Sequence, residues 1–283
     1  NVSEDAILTV TGTTGYVYGI IVHSATGIMQ DTDINVNGGN ITANSDLSAI
    51  GIVFKGTTGD CTVTKGTIKG SQCGIEIDSS STGNITIGDA NESLNTETLS
   101  ISGGNYGIYV TNTFNFYNGV IKGTNSIPYD GTPKLREGKY FIRTTGPVDG
   151  VYSSYLELDE TAPEVKVDNV TYPNDATIKL QDTGCGIKYW AVTENETAPT
   201  TTGTEIVATG NVLNNWYPVD KTTSEIEVTF TGLNAGTYYA WGMDDLGNQK
   251  FVQFTVSNAK LNVTATDYTG VYDGKAHGIT LSG

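Results

Sequence analysis

The 283-residue chain carries a formal net charge of −16, an isoelectric point near 4.3, and 35 glycines against two methionines. A polyanion of this kind is repelled by nucleic acid and by anionic lipid headgroups, so neither is expected as a partner. No apolar run approaches the roughly 18 residues of a spanning helix, so no membrane insertion is expected.

Amphipathic segments with a helical period are missing, and Thr and Asn crowd nearly every stretch, so the fold class is all-β. Residues 1–125 read as a repeat region. Gly19-Ile20, Gly51-Ile52, Gly74-Ile75 and Gly107-Ile108 recur at separations of 32, 23 and 33 residues, each inside a strand-like run (YGIIV, IGIVF, CGIEI, YGIYV). A second kind of run, GGNIT, KGTIK and NGVIK, lies between them. Repeats of that length made of β segments indicate a right-handed parallel β-helix. Glycine is needed where φ is positive or where coils approach closely, and the isoleucine after it is expected to point inward. The expected inner residues are Ile20, Ile41, Ile52, Ile68, Ile75, Ile101 and Ile108. Connections 26–34 and 88–97 break the period, and insertions in such a stack map to one face, where function is usually carried.

Residues 126–160 read as a bridge. The runs KYFIRTT and SYLELD around GPVDG form a hairpin expected to cover the end of the stack and its open strand edges. From 161 to 258, short alternating runs such as TIKLQD, KYWAVT and TYYAWGMDD make about seven strands, the number of an Ig-like β-sandwich. Trp190 and Trp241 are expected in its core and Trp216 partly exposed. Residues 259–283 start a further module. With no initiator Met and a strand-like run at its end, the chain reads as a piece of a longer protein.

Several motifs of the second half resemble bacterial Ig-like domains of cell-surface proteins. They are the opening Thr161-Ala162-Pro163-Glu164-Val165, the turn Asp182-Thr183-Gly184-Cys185-Gly186-Ile187, and the turn Asp244-Asp245-Leu246-Gly247-Asn248. Cys185 stands where that pattern has Ser, and Leu246 where Ala is common. Tyr272-Asp273-Gly274-Lys275-Ala276-His277 is similar to the opening of MBG-type repeats, and the first half resembles β-helical regions of gut Firmicute surface proteins. The resemblance implies an extracellular chain on the cell surface or wall, with Ig and MBG repeats as spacers, monomeric within a longer protein. It is an argument from fold and not from a site.

Parallel β-helices include polysaccharide lyases and glycoside hydrolases, whose sites need converging carboxylates and a base. The candidates are Asp31, Asp33, Asp46, Asp60, Glu76 and Asp78, with Lys55, Lys65 and Lys69. Glu76 and Asp78 stand at i and i+2, an arrangement common in solvated carboxylates, so no converging cluster and no catalytic residue is expected. His23 and His277 lie in different modules, which leaves no triad; His277 is expected to pack structurally. Asp182, Asp244, Asp245 and Asn248 either gather around Ca²⁺ or, in the preferred reading, Asp182 and Asp245 cap tight turns through their own backbone. No metal and no cofactor is expected. Cys61, Cys73 and Cys185 are an odd set without CxxC spacing, with Cys61 and Cys73 read as small buried residues.

Aromatic residues are the better lead. Tyr16, Tyr18, Tyr106, Tyr109 and Tyr117, with Phe114 and Phe116, crowd the repeat region. Rings beside Asn and Thr suit sugars, whose C–H faces pack on π faces while amides read hydroxyls. The competing reading is that they ladder on one another between coils. The functional expectation is a non-catalytic adhesin or stalk with a possible glycan or host-surface ligand; the alternative is a polysaccharide lyase or glycoside hydrolase.

Overall fold

The structure is a computed structural model describing residues 1–3, 6–24, 31–171, 174–257, 264–266, 269–278 and 280–282. The described residues form strands, turns and loops and no helix, so the chain is all-β. Its contacts divide it into two compact units, 1–160 and 161–283.

The first unit opens with β1 (Ile7–Gly12), β2 (Tyr16–His23), β3 (Ile34–Ser45), β4 (Ser48–Lys55), β5 (Cys61–Gly70) and β6 (Cys73–Ile77). It continues through β7 (Ile85–Ile87), β8 (Leu99–Ser102), β9 (Tyr106–Val110), β10 (Thr113–Phe116), β11 (Val120–Gly123) and β12 (Thr132–Leu135). A hairpin of β13 (Tyr140–Val148) and β14 (Val151–Leu158) closes it.

The pairing is parallel from pass to pass of the chain. β2, β4, β6 and β9 form one four-stranded sheet, in which Ile20, Ile52, Ile75 and Ile108 stand in register. In the ten-stranded sheet, β3 lies beside β5, and β5 is followed by β7 along its first half and β8 along its second. Here Ile41, Ile68, Ile101 and Ile121 are in register. These side chains are fully buried, except Ile20, and share one core with Val36, Phe54, Val63, Ile87 and Phe116. Ile20 is half-buried because β2 is the sheet's edge and has a neighbour on one side only.

Glycine makes the stacking possible. A Cβ on Gly19, Gly51 or Gly74 would lie 2.5–2.6 Å from the carbonyl oxygen of the glycine in the following pass. None of the three has a positive φ, so close backbone approach, and not a left-handed turn, is the reason for the repeat. Gly66 combines both demands: its φ is 102°, and a Cβ there would meet the Gly39 carbonyl oxygen at 2.4 Å.

At the other end, β14 pairs antiparallel with β11 and with β13, and Leu156 enters the core. The hairpin thus covers the edge that β11 would otherwise expose. Cys61 sits in the inner core and Cys73 in a separate cluster with Ile50 and Val53; both are free thiols, and burial pushes Cys61 up to about 12. Of the two long connections, 26–30 lies outside the described residues.

The second unit contains β15 (Glu164–Thr171), β16 (Asp175–Gln181), β17 (Ile187–Thr193), β18 (Thr201–Thr202), β19 (Thr209–Gly210) and β20 (Asn215–Thr223). β21 (Glu225–Phe230), β22 (Gly236–Asp244) and β23 (Gln249–Val256) follow. They form a sheet β15-β16-β21-β19 and a sheet β18-β20-β17-β22-β23. Ile178, Leu180, Val192, Val228, Phe230 and Ala240 from both sheets share a core with Trp190, which stacks on Tyr217 at 4.6 Å. Trp241 is buried on the opposite face of its sheet, against Trp216. Trp216 is only 4% exposed, contrary to the sequence expectation, because its indole donates to the Pro199 carbonyl at 3.0 Å beside Ala198. β24 (Thr264–Thr266) and β25 (Thr280–Ser282) pair separately.

All three tryptophans belong to residues 161–283, which separates the two units spectroscopically. Gly74→Ala should destabilise the first unit by about 1–3 kcal/mol or more, since the new methyl meets the Gly107 carbonyl oxygen at 2.6 Å and the fully buried Ile101 side chain at 2.7 Å. The expected result is loss of far-UV circular dichroism at a lower temperature with the tryptophan fluorescence transition unmoved. An equal shift of both would show that the units unfold as one.

Candidate functional site

The outer face of β2-β4-β6-β9 is the surface the repeat builds most regularly. In each strand the glycine turns inward, with its Cβ direction toward Ile41, Ile68, Ile101 or Ile121, and the next isoleucine is also core. Two successive inward positions place the residues just before and just after the Gly-Ile pair together on the outer side. Tyr18, Ile50, Cys73 and Tyr106 form one cross-strand row, and Ile21, Val53, Glu76 and Tyr109 the next. Ile50, Val53 and Cys73 are covered by Tyr18 and Tyr106, which pack on them from either end. At strand spacing those two tyrosines are about 14 Å apart.

Tyr109 is 39% exposed and tilts against Tyr106, with ring centroids 5.6 Å apart. Lys55 places Nζ 5.3 Å from the Tyr18 ring centroid, a cation–π contact. Tyr16 is far more exposed, at the start of β2 opposite Ser48. Ser48 donates its hydroxyl to the Gln72 side-chain carbonyl. Beside Tyr106 runs a groove of about 530 Å³ lined by Asn125, Ser126, Ile127, Tyr129 and Asp130. Four of the five candidate tyrosines thus share one sheet. Tyr117 does not: it follows β10 in a second groove of about 530 Å³, with Asn115 and Lys134. Phe114 and Phe116 are buried in the core, because they are the inward positions of β10 while Asn115 between them is not.

Three of the six acidic candidates cap backbone. Asp33 Oδ1 accepts the Asp60 N–H at 2.9 Å, and Asp60 Oδ1 accepts the Asn84 N–H at 2.8 Å, so each caps the equivalent position of the next pass. Asp78 Oδ1 accepts the Ser80 hydroxyl at 2.7 Å and its N–H at 2.9 Å, which lowers its pKa. Asp31 and Asp46 are exposed.

Glu76 differs. It is half-buried on the tyrosine face, and burial raises its carboxyl pKa, opposed by Lys55 and reinforced by Asp78. Lys55 and Asp78 follow the paired residues Phe54 and Ile77, which brings one ammonium and two carboxylates to neighbouring positions. The sequence names Lys55 among the basic candidates but does not place it beside these two carboxylates; the register alone brings it alongside. Among the described residues no ion pair joins Lys55 to either acid.

In the second unit the turn acids cap backbone. Asp182 Oδ2 accepts the Gly184 and Gly186 N–H groups at 3.1 and 2.5 Å. Asp244 Oδ1 accepts those of Leu246 and Asn248 at 2.9 and 2.7 Å, and Asn248 Nδ2 donates to Asp244 Oδ2 at 2.6 Å. Asp245 pairs with Lys188. His277 is not packed inside; it lies at the surface with Nε2 2.8 Å from Asp273 Oδ1. Sequence reading also missed an aromatic layer on the outer side of β20-β17-β22-β23, where Tyr189, Tyr239, Met243 and Phe251 pack against Trp216 and Trp241. Its signal was the alternation within KYWAVT and TYYAWGMDD, in which both parities are apolar.

A raised carboxyl pKa contributes stability below the unfolded-state pKa that is lost as pH rises through the folded-state value. Glu76→Gln should therefore raise the first unit's melting temperature at pH 7, and the gain should shrink toward zero below the ordinary carboxylate range. A gain that is the same at both pH values would show that the carboxylate is not the cause. No protein-family profile, curated protein or solved structure matches this chain.

Proposed function

We propose that residues 1–125 are a right-handed parallel β-helix, capped by the hairpin segment 126–160, and residues 161–258 an Ig-like sandwich. On this reading the chain is a non-catalytic part of an extracellular bacterial adhesin or stalk, monomeric within a longer surface protein. The β-helix binds glycan or a host-surface ligand, and the sandwich is a spacer.

The observation that carries the binding function is the row Tyr18, Ile50, Cys73 and Tyr106 with Tyr109 beside it. Ile50 and Cys73 are buried in its middle, so the part it offers to a ligand is its rings, Tyr18 at one end and Tyr106 with Tyr109 at the other, and ring faces pack against the C–H faces of a sugar. The Asn125, Ser126 and Asp130 groove at one end adds groups that read hydroxyls. Two further observations support the rest of the reading. The parallel registers repeat over successive passes, and Asp33, Asp60 and Asp78, three of the six candidate carboxylates, are engaged by backbone amides. The turns Asp182–Ile187 and Asp244–Asn248 support the surface-protein assignment through their resemblance to bacterial Ig-like modules.

One observation favours the second reading, a polysaccharide lyase or glycoside hydrolase. Glu76, with its raised pKa, stands beside Lys55 and Asp78 on the same face, as an acid–base site requires. The two readings separate in one experiment. The full chain is screened on a glycan array and then incubated with the polysaccharides related to its hits. Binding without release of reducing ends or unsaturated sugars is expected. Tyr18→Ala and Tyr106→Ala should each weaken binding by roughly 2- to 10-fold, the range of a ring contact. Release of product that disappears in Glu76→Gln would overturn the non-catalytic reading.

A further inference from the structure

We propose that the groove at Tyr117 is a separate subsite for an acidic sugar residue, one that carries a carboxylate. Four of the eight Lys and Arg residues of 1–160 lie between Lys134 and Arg143, in a chain of net charge −16. Two of them, Lys134 and Arg136, line this groove with Asn91, Asn115, Tyr117 and Glu137. Neither cation forms an ion pair among the described residues, so two positive groups face a single carboxylate there. The nearby Glu92 is turned to Lys65 at 3.4 Å.

The walls are built and held. The 88–97 connection supplies Asn91, and it is fixed by Asn118, only 4% exposed. The Asn118 Nδ2 donates to the Ser93 carbonyl at 2.8 Å, and its Oδ1 accepts the Asn95 N–H at 2.7 Å. Arg136 donates to the Glu92 carbonyl at 2.9 Å and lies 4.6 Å from the Tyr140 ring centroid, which sets its guanidinium in place. Asn91 Nδ2 donates to Asp89 and Asn115 Nδ2 to Thr86. Among the described residues the two amide oxygens have no other partner, and they remain as acceptors for hydroxyls. A ring, two amide oxygens and two cations match a sugar that bears both hydroxyls and a carboxylate. An acidic peptide would satisfy the cations but has no use for the ring and amides together. The inference rests on the reading of the first unit as glycan-binding, but it uses a different face from Tyr18 and Tyr106.

The test is titration calorimetry of the full chain with oligosaccharides ending in galacturonate, glucuronate or sialate, and with the methyl esters of the same sugars. At least one acid form should bind about ten-fold or more tightly than its ester, with affinity falling as salt rises. Lys134→Gln and Tyr117→Ala should each cost that sugar several-fold or more, Lys134→Arg should restore most of the loss, and Tyr18→Ala should leave it unchanged. Circular dichroism of each variant checks that the unit is folded. The proposal is overturned if no acid form is preferred to its ester, if only sulfated sugars bind, or if polyglutamate competes equally well. Loss of this site with neutral glycans still bound through Tyr18 and Tyr106 would leave the proposed function standing, whereas binding of no glycan at all would remove both.

Discussion

Close backbone approach at Gly19, Gly51 and Gly74 is the constraint on which the first unit depends. Each glycine lies within 2.5–2.6 Å, measured from a notional Cβ, of the carbonyl oxygen one pass further along. Any side chain there would push neighbouring passes apart, and the isoleucines beside them would lose the contacts that bury them completely. The same constraint shapes the surface. Because glycine and the following isoleucine both turn inward, the flanking residues line up outside in two regular rows. The core and the candidate binding face are therefore two consequences of one backbone arrangement.

Polar residues reinforce this stacking. The Asp33, Asp60 and Asn84 series caps successive passes at one equivalent position, and Asp78, Asp182 and Asp244 cap turns in both units. Much of the acidity that dominates the composition is thus structural at specific sites, with each carboxylate satisfying backbone N–H groups that would otherwise lack a partner. Against that background, an unpaired cation is informative. Lys134 and Arg136, which line the groove at Tyr117 with Glu137 as its one carboxylate, form no ion pair among the described residues.

The second unit solves burial differently. Its five-stranded sheet is apolar on both sides: Trp190 and Val192 face the core shared with β16 and β21, while Trp216 and Trp241 anchor an outer aromatic layer. The outer layer keeps its polar atoms satisfied, with the Trp241 indole donating to Thr193 Oγ1 at 2.9 Å and that of Trp216 to the Pro199 carbonyl. Buried indoles without such partners would be costly.

The all-β class and the Gly-Ile repeat were legible in the sequence, and so were most of the inner isoleucines, because each rests on local spacing and on the small size of glycine. Asx capping at Asp182 was legible for the same reason, since its bonds run only two to four residues along the chain; in the second turn the cap is Asp244 and not the expected Asp245, which pairs with Lys188. Sidedness was not. Alternation predicts the face of a residue only while every residue takes one step, and the paired inward turn at Gly-Ile breaks that parity. Tyr106 and Tyr109 accordingly came to share the outer face, whereas Phe114 and Phe116 went inside by plain alternation in β10. Convergence was not legible either. Lys55 meets Glu76 and Asp78 across strands, and Asn91 meets Lys134 across a groove, through register and loop placement between residues about 20 to 40 positions apart. Only the tertiary structure decides such neighbours, because interstrand register is set by packing of the whole stack and not by any one segment.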